Sequence, residues 1–388
     1  MNFLFPGAMI RRERIRRNWS QEGLCAGICA VSYLSKIEQG KAEAGPEILR
    51  MLFARLEQPW YDDELTMAGV ESFIGCCYEA LFACDDERLE TLQDEFSEKA
   101  AIISNSPYAL DEALLRKFLF RTYEPAEKDM EPFLDQRQLA LQRMLQGRHE
   151  EAMRLYPCSY FSLMAGIQLY EQGGGDAAAL GHLRRAYDMA AEEGYVRVML
   201  LAKVYMGNCY CNRIDIENMN AQYLIAERLA RTLDEHNLLR DISYNRASAC
   251  LEAGRYEEAY AYFVQVQQPT IMDLHKLAIC CEKLGRRGEA FGALDRAEEM
   301  ETVYPDLPLA RQMCGLVRFR LEHEDYLQSS KYGELLLHVY NECRRKMPVG
   351  YAAFHLPWML EWHTAARQYR AAYELLLDFP LKLPINRD

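Results

Sequence analysis

Polar side chains recur in pairs four residues apart: Gln168 with Gln172, Asn208 with Asn212, and Ser248 with Glu252. A carboxamide carries a donor and an acceptor together, the combination that pairs with the N–H and C=O of an extended peptide backbone. Tyr244 stands one helical turn before Ser248, and His275, Lys283, Arg311 and Arg318 further on could receive carboxylates or a chain's C-terminus. Singly, each of these residues would also suit a solvated helix face; only a helical repeat that sets them at equivalent positions of successive units implies a peptide-binding ladder. Reactive constellations are missing from the sequence. There is no HExxH, GxSxG or Walker-type loop, the eight histidines are dispersed, and an acid near His323 or His363 is expected by chance among 58 carboxylates. The glycines at 173–175 lack the spacing of a nucleotide-binding loop and read as a turn between helices. No catalytic residue can be nominated, and the expectation is a non-enzyme. The 13 cysteines are odd in number and sit mostly in apolar helical patterns, without paired CxxC spacing, so they read as reduced core thiols. Neither a metal site nor a cofactor is expected.

The elements that must carry the ladder are helices. The phrases GRHEEA at 147–152, GRYEEA at 254–259 and GRRGEA at 285–290 share Gly, Arg and Ala at fixed offsets. The step from Gly254 to Gly285 is close to the period of about 34 residues of the tetratricopeptide repeat, which these phrases resemble. In that reading the small and large packing positions of each second helix are Ala259 with Phe263, and Ala290 with Leu294 and Ala297. Weaker copies use Ala179, Leu183 and Ala186, then Met219, Tyr223 and Ala226, and continue around Ser329 and Ala372. The resemblance implies stacked helix pairs in a right-handed superhelix whose first helices line a concave groove.

The N-terminal end differs in charge. Residues 1–58 hold nine Lys or Arg against six acids, a net of +3, so the remainder carries −16 of the total of −13. A basic head on an acidic body directs phosphate attraction to one end. The pattern predicts a first helix with Ile10 and Ile15 inside, a second over 21–27 capped by Ser20, a third ending at Gly40 with Leu34 and Ile37 buried, and a fourth opened by Pro46. Cys29 falls at the turn.

The segment SQEGLCAGICAVSYLSKIEQGK at 20–41 resembles the Xre/Cro-like helix-turn-helix, with a middle about one residue shorter than the commonest spacing and Gly23 in place of an acid. That shorter form is similar to the peptide-pheromone-responsive regulators of the RRNPP group, which includes the Rgg, PlcR and NprR types. Such a motif sets its third helix in the major groove of double-stranded operator DNA. Val31, Ser32, Tyr33 and Lys36 are the base-facing candidates, Lys36 for guanine acceptors and Tyr33 or Val31 for a thymine methyl, with Ser35 beside them. Gln21 and Arg17 are the candidates at phosphate.

The reading that combines these features is an all-α chain. It consists of an Xre/Cro-like helix-turn-helix domain over 1–62, a linker or connecting helix over 63–75, and a tetratricopeptide-repeat superhelix over 76–388 for ligand binding and dimerisation. The resemblance implies a homodimeric transcriptional regulator that binds a short signalling peptide. Two alternatives stand beside it: a scaffold for a folded partner such as a response regulator, and a dimeric repressor without a ligand. No window holds 18 uninterrupted apolar residues and the first residues are too soon charged for a signal peptide, so the chain is expected in the cytoplasm and off the membrane. The C-terminal helices, including the apolar stretch YAAFHLPWMLEW at 351–362, are expected to offer the dimer surface, and the sequence does not identify which of them pair.

Overall fold

The computed structural model describes residues 4–124, 128–172, 176–300, 307–347 and 349–379, and all the regular structure among them is helical, without strands. The glycines at 173–175 lie outside the described residues. The chain forms two compact units, one of residues 1–162 with 192–198, the other of residues 163–191 with 199–388.

The first unit begins with a four-helix head: α1 Phe5–Arg16, α2 Gln21–Cys25, α3 Val31–Glu38 and α4 Pro46–Arg55. Ser20 Oγ accepts the Gly23 N–H at 2.9 Å, satisfying one of the free donors at the start of α2. Helix α2 ends at Cys25, two residues before the expected Gly27, which itself takes φ +73° in the turn. Ile10, Leu24, Leu34, Ile37, Leu49, Leu52, Phe53 and Leu56 close the core. Ile15 does not join it; it is 53% exposed, because the face of α1 defined by Ile10 turns away from position 15 after five residues. The head is docked within its unit. Phe5 meets Phe133 edge-on at 5.6 Å, and a side chain on Gly40 would sit 2.7 Å from the same ring.

Four longer helices and a short one complete the unit: α5 Glu64–Phe82, α6 Asp86–Ile103, α7 Ala109–Leu119, α8 Gln136–Leu145 and α9 His149–Leu155. Helix α5 is long and apolar enough on average to cross a membrane, although charged Glu71 and Glu79 interrupt the run. Its Met67, Val70, Phe73, Ile74, Cys77, Tyr78 and Leu81 are buried in the unit, which makes it a core helix.

The second unit draws on α10 Ser159–Glu171, α11 Asp176–Glu193, α12 Val196–Cys211, α13 Ile216–Thr232, α14 His236–Glu252, α15 Tyr256–Phe263, α16 Ile271–Lys283, α17 Arg287–Glu299, α18 Leu307–Glu322, α19 Ser330–Lys346, α20 Val349–Ala365 and α21 Tyr369–Asp378. From α13 to α19 each helix packs on the next, and α14, α16 and α18 also pack in succession. The repeated phrase is a turn and a helix start. Gly254 and Gly285 end α14 and α16 at φ +76° and +72°, where a β-carbon would be strained, and the next Arg opens the following helix. Ala259, Ala290, Leu294 and Ala297, like Ala179, Leu183, Ala186, Met219, Tyr223 and Ala226, are fully buried or nearly so, the burial expected of them from the sequence.

Two expectations about the C-terminal helices are corrected. Ser329 is the residue before α19, not a small packing position inside it; that role falls to Gly333, where a β-carbon would lie 2.0 Å from the Trp362 ring. The stretch 351–362 is not a free surface, because Ala352, Ala353, Phe354, His355, Leu356 and Met359 are buried in the unit. The exposed apolar row lies instead on α21, at Tyr369, Tyr373, Leu376 and Leu377. Ala372 is only half-buried there.

Candidate functional site

In the head, a buried carboxylate fixes the angle between the first three helices. Glu38, 3% exposed, accepts from Arg14 Nε at 2.6 Å, from the second guanidinium nitrogen at 2.8 Å, and from Gln21 Nε2 at 2.8 Å. Arg14 also donates to the Trp19 carbonyl at 2.7 Å, and Arg55 donates to the Leu24 carbonyl at 2.9 Å and to that of Ala26, closing the end of α2. One side chain from each of α1, α2 and α3 thus meets at a single charged point. This brace is absent from the sequence reading, although Glu in an otherwise core-facing register of α3 was its signal.

The brace leaves one face of α3 outward. Val31 is 42% exposed, and Ser32 and Lys36 are exposed, Lys36 making no ion pair among the described residues. Tyr33 and Ser35 are half-buried and engaged: Tyr33 donates to the Glu43 carbonyl at 2.9 Å and Ser35 Oγ accepts from Gln39 at 3.1 Å. Gln21, expected at phosphate, donates one amide N–H to Glu38 and keeps the other N–H and its carbonyl oxygen. Arg17, expected there too, pairs with Glu13 at 2.6 Å and Glu57 at 3.4 Å. Hydrogen bonds from Arg16 and Arg17 hold the Glu13 carboxyl down at about 2. In the free protein the outward set is therefore Val31, Ser32 and Lys36.

In the second unit, alternate helices α12, α14 and α16 wall two cavities that share Tyr244, Asn245, Met272 and Tyr351. The larger, about 730 Å³, is lined by Tyr205, Asn208, Asn237, Arg240, Asp241, Tyr244 and Asn245 among others. Asn208 Oδ1 accepts from Tyr223 at 2.6 Å and from Asn245 Nδ2 at 3.1 Å, which fixes the carboxamide plane and directs its N–H donors elsewhere. The smaller, about 200 Å³, is lined by Asn212, Ser248, Glu252, His275, Lys276 and His355. Spacings of four residues put Tyr244, Ser248 and Glu252 on one face of α14, as the sequence ladder requires.

Six of the expected ligand residues line these cavities: Asn208, Asn212, Tyr244, Ser248, Glu252 and His275. Gln168, half-buried, and Gln172, exposed, belong to neither lining. Arg311 and Arg318 are displaced from the role of anion receptor. Arg311 donates to the Met300 carbonyl at 2.9 Å, while Arg318 pairs with Asp295 at 2.6 Å and Glu298 at 3.0 Å. The cation at the smaller cavity is instead Lys276, which sequence reasoning passed over. Its signal was a charge inside the apolar run LHKLAICC.

Burial governs the protonation of the smaller cavity. It pushes His275 well below its ordinary range, with Lys276, His355 and Arg320 adding repulsion, and lowers His355 to about 4. Both rings are neutral near pH 7. Burial also brings Lys276 down to about 8, against the attraction of Glu252, and raises Glu252. All 13 cysteines are free, nine of them buried, and burial lifts thiols such as Cys77 and Cys280 to about 12. Such thiols are protonated and inert.

Residues 10–59 match the helix-turn-helix family. No curated protein matches the chain significantly. The matched segment runs from within α1 to just past the end of α4. The N-terminal segment is an Xre-like helix-turn-helix followed by an all-helical body, and this supports a DNA-binding transcriptional regulator.

Proposed function

We propose that the protein is a cytoplasmic regulator of the RRNPP kind, whose body binds a short signalling peptide and whose head, residues 1–62, binds operator DNA as a homodimer. The observation that carries the peptide reading is the cavity of about 730 Å³ on α12, α14 and α16, walled by the carboxamides of Asn208, Asn237 and Asn245. Its volume lies within the range of sites that bury ligands of several hundred daltons. Fixed carboxamides there offer backbone-like partners to an extended chain without paying for their own ordering. Stacking of α14, α16 and α18, with a glycine turn inside the pairs α14–α15 and α16–α17, supports reading residues 76–388 as tetratricopeptide repeats.

The test is calorimetric titration of the full chain with peptides encoded by small open reading frames beside its gene. Asn208→Ala is expected to weaken binding by about 1 to 3 kcal/mol, roughly 5-fold to 150-fold, at unchanged helicity. A peptide that binds both proteins equally would refute the assignment of this cavity. The exposed apolar row of α21 favours a second reading, in which the body binds a folded protein such as a response regulator. Tight binding of such a partner with no peptide bound would select it.

A further inference from the structure

The smaller cavity holds two opposite charges that do not satisfy one another. Lys276, 5% exposed, forms neither a hydrogen bond nor an ion pair among the described residues, and its Nζ rests 3.1 Å from the centre of the Phe354 ring. Glu252 on α14 likewise has no hydrogen-bonding or ion-pair partner among those residues. Around them lie buried polar atoms without partners: Ser248 Oγ, both ring nitrogens of His275, and His355 Nε2. His355 donates through Nδ1 to the Tyr351 carbonyl at 2.8 Å, so its neutral ring offers Nε2 as an acceptor.

A buried polar group without a partner costs roughly 1 to 3 kcal/mol, and a buried charge costs more. Four such atoms, with buried Lys276 and half-buried Glu252 both outside any ion pair, therefore make this cavity a place for polar groups from outside the chain. A ligand with a single charge would leave the site with net charge. A ligand carrying both signs would keep the site neutral and give each charge a partner, its carboxylate on Lys276 with Ser248 and His275 as further donors, its cation on Glu252 with His355 Nε2 as a further acceptor. The cavity, about 200 Å³, exceeds several times the roughly 30 Å³ taken up by a water and has room for one small residue.

We propose that the cavity formed by Ser248, Glu252, His275, Lys276 and His355 selects a zwitterionic group: a free amino acid, or the end residue of a peptide whose terminal charge is matched by an opposite charge on its side chain. The peptide source rests on the function proposed above, because the two cavities share a wall. The free amino acid does not.

The experiment is affinity selection by the full chain, read by mass spectrometry, on three probes: the twenty amino acids, a randomised heptapeptide library with free ends, and the same library acetylated and amidated. Retention of zwitterionic species is expected, with a loss of at least about 30-fold in Lys276→Met and in Glu252→Gln, and none in Arg318→Gln. The double variant Lys276→Met, Glu252→Gln removes both charges together and keeps the cavity neutral, so it guards against a folding defect. It should fold and still fail to retain them. Amino acids retained without peptides would support the zwitterion site and overturn the peptide reading. Equal retention of the blocked library would overturn the zwitterion site and leave the peptide reading standing. Retention of nothing would overturn both.

Discussion

The brace in the head allows a sharp test. Arg14 and Glu38 have side chains only 13% and 2% exposed, and they meet through two parallel hydrogen bonds, the geometry in which a guanidinium binds a carboxylate most strongly. Glu38→Ala would strand a nearly buried guanidinium and release the Gln21 amide. The first loss is worth about 3 to 5 kcal/mol and the second about 1 kcal/mol. Arg14→Ala should cost a similar amount by stranding the carboxylate. Removing both leaves no orphaned charge, so the double variant should be less destabilised than the two single losses added together, with a coupling of about 2 to 3 kcal/mol. The readout is amide hydrogen exchange of segments within residues 5–58 of the full chain, which reports opening of the head separately from the body. Added salt should change the coupling little, because a buried pair is poorly screened. A coupling below about 0.5 kcal/mol, or one that disappears in salt, would refute the claim that this pair sets the angle of α3.

Three further outcomes follow from the same physics. Lys36→Ala should lower operator affinity by about 1 to 3 kcal/mol with helicity intact, and unchanged binding in an anisotropy titration at fixed salt would remove it from the DNA interface. Gly333→Ala drives a β-carbon toward the Trp362 ring and should destabilise the second unit by about 1 to 3 kcal/mol, seen as a lower thermal midpoint; an unchanged midpoint would mean that the ring yields freely. His275 and His355 resist protonation when folded, so below about pH 6.5 the unfolded chain binds more protons. Stability should therefore fall by about 1.4 kcal/mol per pH unit for each ring from there down to the folded value, which is about 4 for His355, and His355→Asn should flatten the slope of a denaturation series over that window.

What the sequence disclosed and what it hid divide along physical lines. Turn glycines, caps and small packing residues act locally, which is why Ser20, Gly254, Gly285, Ala259 and Ala290 could be placed from spacing alone. The ladder on α14 was legible for the same reason, since three- and four-residue steps define one helix face. Pairing between distant residues has no such signature. Nothing local says that Gln21 turns to Glu38, or that Arg318 spends its charge on Asp295 rather than on a ligand. Likewise the apolar run at 351–362 reads the same whether it covers a core or a partner, and here it covers a core.

For a ligand in the second unit to govern DNA binding in the first, affinity alone is insufficient. A ligand that binds two conformations equally shifts neither, however tightly it is held. The ligand must prefer the arrangement of α12, α14 and α16 that accompanies one DNA-binding state, and the coupling must be reciprocal, so that operator DNA alters ligand affinity by the same factor. The smaller cavity is suited to impose such a preference. Its contacts come from α14, α16 and α20 together, and an unpaired Lys276 or Glu252 penalises any arrangement in which the ligand reaches only one of them. A coupling of about 1.4 kcal/mol would already change operator affinity tenfold.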